Sequence, residues 1–552
     1  MCKIKINNKV YTFTPGNRVV DLLPDEEKKK WMICEIDQAI KELTYPLTAK
    51  HDCSNVFLYD LNHIEGGKAY ETTLRYIIAM AFKRCYRDIN IKFSYSVSRS
   101  VFCEIMNSKV KMSHLTESII AEVKRIIALD LPIIRKTVSV EDAISIYEKQ
   151  GNTDKIKILK YRPDKIVHMY QCDDYYDYMY SYMLPSTGYI KEYIIRPYSP
   201  GLIIQYPRYE LGSNIPEFIE EPTYGKTLRE TEYWGKITKT DSIVGINHKI
   251  ENDNIRDFIQ TCETKHTNML AELGEQIKKE QDTVRLICIA GPSSSGKTTF
   301  CNRLRIELMS RGITPVMISM DDYYLSKKEI AQKQKVAIED VDLEHINCLD
   351  IELFNKNLFD LINGEETTLP HYNFQKGIRE TGRTIKIDDN SPIMIEGIHA
   401  LNEILTSSIP KHQKYKVYIA PQMQINIDDH SPLSTTDLRL IRRIVRDMKF
   451  RNCPAINTID MWPSVRNGEF RWIYPNQEGA NFIFNSSLTY ELSVFKKYAI
   501  PELKKIQPGD KEYVIANRLI KYLKYFQSID DESSIPCNSL IREFIGGSCF
   551  EV

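Results

Sequence analysis

The sequence predicts an α/β domain, a parallel sheet with flanking helices, preceded by a small β-grasp unit and an α+β unit. Three observations lead there. The chain has 552 residues, more than one hydrophobic core covers, since domains run to about 250 residues. From Val284 onward, short apolar strands alternate with helical segments, as expected of strands buried on both faces of a parallel sheet. Before that point, strands with two-residue periodicity gather around turns and are mixed with a few amphipathic helices.

Lys3 to Phe13 alternates apolar and polar side chains around Asn7-Asn8, and Arg18 to Leu23 follows a Thr-Pro-Gly turn. This predicts a hairpin leading into a short helix, within a first unit over 1–62. Gly67 to Tyr86 sets Leu74, Ile77, Ile78, Ala81 and Phe82 at helical spacing, and Ile91 to Ile105 reads as strand. Thr116 to Leu129 and Val140 to Gln150 read as helices, and Tyr189 to Tyr206 as strands broken by Pro197, Pro200 and Gly201, completing a second unit over 63–225. Asp257 to Asp282 is polar and carries Gly274 as its one breaker, which predicts a connecting helix within a linker region over 226–282. The parallel sheet is expected from Val284 to Ala290, Pro315 to Met320, Ile393 to Ile395 and Tyr415 to Ile419, in a domain over 283–505. A tail over 506–552 holds one predicted helix, Val514 to Phe526, and an acidic loop, Asp530 to Glu532.

Composition excludes some classes of function. Lys and Arg total 74 and Asp and Glu total 74, so no global basic field points to bulk nucleic acid or a membrane surface. The 13 cysteines are odd in number and contain no CxxC pair, which predicts reduced thiols and a cytoplasmic protein. The start, MCKIKINNKVYTF, lacks the apolar core of a secretory signal, and the apolar run Tyr76 to Phe82 is far short of a membrane span. No membrane partner is expected.

Residues 291 to 298 read GPSSSGKT, directly after one predicted strand and before the helical run Thr299 to Arg311. This is the G-x-x-x-x-G-K-[ST] phosphate loop in its proper context. Gly291 and Gly296 let successive N–H groups turn inward around Pro292, Ser293, Ser294 and Ser295. The helix start at Thr299 adds positive potential, Lys297 supplies a point charge, and the Thr298 hydroxyl can ligate Mg²⁺. At the end of the next strand stands Asp321-Asp322-Tyr323-Tyr324, where ligands bind in open α/β sheets. A hydroxyl acceptor needs a carboxylate to take its proton; Asp321 is the candidate, with Asp322 the local rival and helix capping the structural alternative. Ile393 to Gly397 is a buried strand ending in Glu396, the expected second metal contact. Asp437 to Asn452 reads DLRLIRRIVRDMKFRN and spaces Arg439, Arg442, Arg443 and Arg446 so that several share one helical face, suited either to solvent or to closing over phosphates.

Taken together, GPSSSGKT, SMDDYY, VDLEHINCLD, LPHYNF, IMIEGIHAL and DLRLIRRIVRD resemble, in order, the blocks of the uridine kinase and phosphoribulokinase family, over about Val284 to Leu503. The resemblance implies a lidded P-loop kinase that uses ATP or GTP with Mg²⁺ to phosphorylate a nucleoside 5′-hydroxyl, uridine or cytidine foremost. It implies Asp321 as base and Tyr324 at the sugar, Glu344 on the ribose hydroxyls, and Tyr372 lining the base pocket. In the lid, Arg442 and Arg446 are implied at the reacting phosphoryl group, Arg439 and Arg443 at the nucleotide, and Arg442 also at the acceptor. The sequence departs from the family at Glu344-His345-Ile346 and at Gly377, where a base-reading His is expected. Met461 to Arg466, Phe482 to Glu491 and the tail's IPCNSLIREFIGG resemble a longer branch in which the kinase follows a large N-terminal half.

That half resembles the TGS domain and the second, editing-type domain of threonyl-tRNA synthetases. Of the metal-binding pattern of such editing domains only Cys172 is present, so a binding or regulatory role is expected rather than deacylation. RNA or tRNA is thus a candidate partner beside the small-molecule nucleoside, and the tyrosines from Tyr170 to Tyr198 serve either a core or base stacking. A homo-oligomer stays open. The rival readings are an RNA-binding regulator with a P-loop switch and a sugar-phosphate kinase such as phosphoribulokinase.

Overall fold

The computed structural model describes residues 2–373, 376–388 and 391–550. Phe374, which ends the LPHYNF block, lies outside the described residues. β1 (Cys2–Ile6) and β2 (Lys9–Phe13) pair antiparallel across Asn7-Asn8, both at positive φ, a conformation that Asn tolerates better than most residues. A short helix α1 (Asp25–Lys28) precedes β3 (Ile33–Ile36), β4 (Ala39–Lys41) and β5 (Asn55–Tyr59). The sheet order is β2-β1-β5-β3-β4, with β1 and β5 parallel.

Helix α2 (Ile64–Cys85) starts earlier than its apolar periodicity suggests because His63 caps it, accepting the Glu65 N–H at 3.2 Å. It is buried on most of its surface, and one continuous apolar core runs from Ile4 through α2 to Tyr206. The units expected over 1–62 and 63–225 therefore share a core. The single strand expected from Ile91 to Ile105 is a hairpin, β6 (Asn90–Val97) and β7 (Ser100–Met106), turning at Ser98-Arg99 with φ of 49° and 58°. No Gly, Pro or Asn marks that turn in the sequence. Then follow α3 (Met112–Ala128), β8 (Ile134–Ser139), α4 (Val140–Gln150), α5 (Thr153–Leu159), β9 (Ile166–Cys172), β10 (Tyr175–Asp177), β11 (Ile194–Tyr198) and β12 (Gly201–Gln205). They form sheets of order β11-β12-β7-β6 and β10-β9-β8.

Helices α6 (Pro222–Thr238), α7 (Ile243–Asn252) and α8 (Ile255–Lys279) lead into the second half. α8, expected as a polar connector, buries Phe258, Ile259, Leu270, Leu273 and Ile277, the last three against the first helix of the α/β domain. It is an integral layer whose inner face is mainly apolar, with Glu263 and His266 buried on it as well.

The α/β domain begins with β13 (Leu286–Ala290), α9 (Lys297–Ser310) and β14 (Val316–Ser319), then α10 (Lys327–Gln334) and α11 (Ile351–Ile362). The hairpin β15 (Thr367–Asn373) with β16 (Ile378–Ile385) stands apart from the main sheet, which resumes with β17 (Ile393–Glu396) and β18 (Lys414–Ala420). After α12 (Thr435–Phe450) and α13 (Ala455–Gly468), β19 (Phe482–Asn485) adds an edge strand that sequence periodicity did not single out. The order is β14-β17-β13-β18-β19, and every pair is parallel. Ser319 and Ile289 both pair with Glu396, so the strand ends carrying the candidate residues lie level at one edge.

α14 (Glu491–Leu503), α15 (Tyr513–Leu523) and α16 (Arg542–Ile545) close the chain. The tail packs into the domain: Ala516, Leu519, Leu523, Ile541 and Phe544 join one core with Leu438, Ile441 and Val445 of α12. All 13 cysteines are free thiols. Among the described residues no helix is long and apolar enough to cross a membrane.

Candidate active site

The loop 291–298 leaves β13 at the centre of the sheet, where its backbone must pass close to β18. A Cβ on Gly291 would lie 2.0 Å from the Ile419 carbonyl oxygen, so this position admits only glycine. Ser294 at φ 60° and Gly296 at φ 89° wind the loop, and Gly296 caps α9. The first N–H groups of α9 lack acceptors four residues back along the helix and so favour an anion there. The hydroxyls of Ser294, Ser295 and Thr299 are buried with no hydrogen-bond partner among the described residues, although buried polar atoms normally have one. This set fits a polyanion's oxygens. Lys297 folds back so that Nζ donates to the carbonyls of Gly291 (3.0 Å) and Pro292 (3.3 Å).

Asp321 and Asp322 sit on a tight 3₁₀ turn, Met320–Tyr323, begun by the Ser319 hydroxyl, which accepts the Asp321 N–H at 3.3 Å. The turn parts them. Asp322 is tied to the β15 hairpin, accepting from Tyr372 N–H at 3.2 Å and lying 3.1 Å from His371 Nδ1. Asp321 makes no side-chain hydrogen bond among the described residues and stands in the cleft, reached by water from one side yet closely surrounded by protein. That surrounding, with Asp322 adding to it, pushes its carboxyl up against the pull of Lys297 and Arg451. Glu396 is pushed up to about 7 by burial, with Asp321 and Glu543 adding and Lys297 opposing. Glu344 is likewise pushed up to about 7, by burial and by Glu469, with Arg443 and Lys297 opposing. One ammonium, Lys297, thus acts on three carboxyls with upward-shifted pKa values, an arrangement typical of sites built for chemistry.

Glu344 is pressed against α13, where a Cβ on Gly468 would lie 2.5 Å from its own Cβ. Tyr324 donates to the Leu343 carbonyl at 3.3 Å, and its ring lies 5.9 Å from that of Tyr372. The structure therefore gathers Tyr324, Glu344 and Tyr372 on one wall. Gly377 sits in the β15–β16 turn at φ 66°, next to open space.

The arginine face of α12 differs from the expected free lid. Arg439 is bound to Glu469, and its Nε donates to the Ser293 carbonyl at 3.0 Å. Arg442 is 1% exposed and spends all three of its nitrogens on protein. Glu491 takes Nε at 2.7 Å and Nη2 at 3.0 Å, Ser486 O takes Nη2 at 2.7 Å, and the carbonyls of Ser294 and Ser295 take Nη1 at 3.3 and 3.4 Å. Arg439 and Arg442 hence clamp the loop backbone rather than present donors to an acceptor. Arg443 reaches the Ser293 hydroxyl at 3.0 Å, while Arg446 pairs with Asp447 at 2.8 Å, both partly open.

Two residues escaped sequence reasoning. Arg451, two turns beyond Arg443, lies near enough for its charge to draw the Asp321 carboxyl down; its helical spacing was visible. Glu543 of the tail bonds the Thr299 N–H, with Oε2 at 3.1 Å, and no local pattern signals that contact.

Residues 286–493 match the model of the Phosphoribulokinase / Uridine kinase family. A uridine kinase of Ureaplasma parvum is 30% identical over 197 residues, 36% of this chain and 85% of that one. A uridine kinase of Borrelia duttonii is 31% identical over 228 residues, 40% of this chain and 98% of that one. One from Macrococcus caseolyticus is 29% identical over 199 residues, 36% and 86% of the two chains. With near-complete coverage of such relatives and the family match falling on the parallel sheet and its phosphate loop, the chain belongs to the phosphoribulokinase / uridine kinase family.

Proposed function

We propose that this phosphotransferase moves the terminal phosphate of ATP or GTP to the 5′-hydroxyl of a nucleoside, uridine or cytidine foremost, with Mg²⁺. The phosphate loop with its three unpartnered hydroxyls, next to the level strand ends that carry Asp321 and Glu396, is the observation that carries this reading. The uridine kinases among its relatives favour the pyrimidine nucleoside. Asp321, whose side chain makes no hydrogen bond among the described residues, takes the hydroxyl proton and aligns the oxygen. The loop amides of 291–299 and Lys297 hold the phosphates, and Arg443 and Arg446 meet charge that develops on the transferring group. Glu344, Tyr324 and Tyr372 seat the acceptor. The Thr298 hydroxyl and Glu396 suit Mg²⁺, which is held by few protein oxygens together with phosphate and water; when bound, it neutralises phosphate charge.

A panel of nucleosides with ATP and Mg²⁺ tests the reading, and 5′-monophosphates are expected. Asp321→Asn should lower turnover by about 10²–10⁴-fold while nucleotide still binds. Turnover preserved in that variant would remove Asp321 from the role of base.

For the N-terminal half we keep the TGS-like and editing-like reading, in a cytoplasmic protein. The β2-β1-β5-β3-β4 order with its parallel central pair supports a β-grasp. Retardation of tRNA by the full chain is the direct test, and its absence would leave that half a regulatory or structural unit.

A further inference from the structure

The C-terminal segment does not trail away from the cleft; it is anchored on the phosphate loop. The Ser539 hydroxyl donates to Glu263 Oε1 of α8 at 2.5 Å. Leu540, fully buried, covers Gly296, where an added Cβ would meet Leu540 Cδ2 at 3.4 Å. The turn of α16 then sets Glu543, only 7% exposed, with Oε2 on the Thr299 N–H at 3.1 Å. Thr299 is the third residue of α9, so its N–H belongs to the set that lacks a helical acceptor and that makes a helix start attractive to anions. Next along the segment, the Phe544 ring lies 5.1 Å from the Arg442 guanidinium carbon, and the Ile545 carbonyl accepts from Lys449. One short helix thus touches both the loop helix and the arginine helix. Its carboxylate occupies a donor that the sequence assigns to nucleotide.

We propose that Glu543 is a built-in stand-in for phosphate, holding the Thr299 N–H until nucleotide phosphate displaces it, so that the C-terminal segment sets nucleotide affinity. This rests on reading 291–299 as the nucleotide site. A carboxylate on a helix-start amide makes a charge-assisted bond of the kind a phosphate oxygen makes, and the two anions cannot share one N–H. The same charge also acts on Glu396, so incoming phosphate meets repulsion until the side chain turns away. Exchange takes place at the side chain: Leu540, Ile541, Phe544 and Ile545 are each no more than 2% exposed and keep the segment seated.

The test uses Glu543→Gln and Glu543→Ala in the full chain, with calorimetric titration by inorganic tripolyphosphate, ATP and adenosine in the presence of Mg²⁺. Both variants should bind tripolyphosphate and ATP about tenfold more tightly than the parent, with adenosine affinity unchanged. Glutamine keeps the shape and an acceptor oxygen, and a melting temperature near the parent's confirms folding. Unchanged or weaker phosphate binding in both variants overturns the proposal, as does a parallel shift for adenosine, which would indicate a reshaped pocket. If neither parent nor variants bind tripolyphosphate or ATP at millimolar concentration, the nucleotide-site reading itself fails and this proposal falls with it.

Discussion

Two adjacent aspartates at 321 and 322 look alike in sequence, and only the turn that carries them makes them different. One side chain is consumed by the β15 hairpin, and the other is left in the cleft. Glu344 shows a second property that composition could not give. Its position in the VDLEHINCLD block was legible, but the burial and the Glu469 charge that push its carboxyl up to about 7 come from a distant part of the chain. Between about pH 6 and 8 this group passes from neutral acid to carboxylate, and only the carboxylate is purely an acceptor for hydroxyl protons. If Glu344 holds the acceptor's hydroxyls, KM for the nucleoside should fall as pH rises through about 7. Glu344→Gln should flatten that dependence and raise KM more than it lowers kcat. A steady-state KM–pH profile of the two proteins decides the matter; an unchanged profile in the variant places the titrating group elsewhere.

At the scale of elements, the phosphate loop was readable because its information is contiguous: strand, glycines, lysine and helix follow one another between Leu286 and Ser310. The arginine helix was readable as a helix but not as a device. Ser434 caps it, accepting the Asp437 N–H at 3.2 Å, yet what Arg439 and Arg442 do depends on Glu469 and Glu491, carboxylates on later helical segments. A buried guanidinium whose nitrogens all have partners is costly to remove singly, since its carboxylate is then left desolvated and unpaired. Arg442→Met should therefore destabilise the protein by about 3–5 kcal/mol. The pair Arg442→Met with Glu491→Leu should recover most of that loss, because neither charge remains. Urea denaturation of the two variants measures both effects. A single variant as stable as the double one would mean that Glu491 finds water or another cation.

The whole molecule holds together in ways that a residue-by-residue reading misses, because the contacts join segments hundreds of positions apart. The connector helix α8 was expected to separate two halves, but the halves meet directly. Lys155 of α5, 2% exposed, lies between Asp177 of β10 at 2.7 Å and Asp428, in the loop after β18, at 3.1 Å; His430 Nδ1 is 2.6 Å from Asp177. The ammonium and imidazole hold the Asp177 carboxyl well below its usual range, whereas burial pushes Asp428 up. Nothing in the local sequence of TDKIKI or NIDDHS announces this pairing. Replacing Lys155 by Met would leave two carboxyls facing each other in a dry interface, at a cost of about 3–5 kcal/mol. Since the triad spans both halves, the loss should lower the denaturation midpoint of the entire chain as one transition. Trp31 reports the first half, and Trp462 and Trp472 report the second, so fluorescence of single-tryptophan versions can follow each. Coincident shifts are expected; if only the Trp31 signal moved, the halves would be thermodynamically separate and the triad would serve the N-terminal half alone.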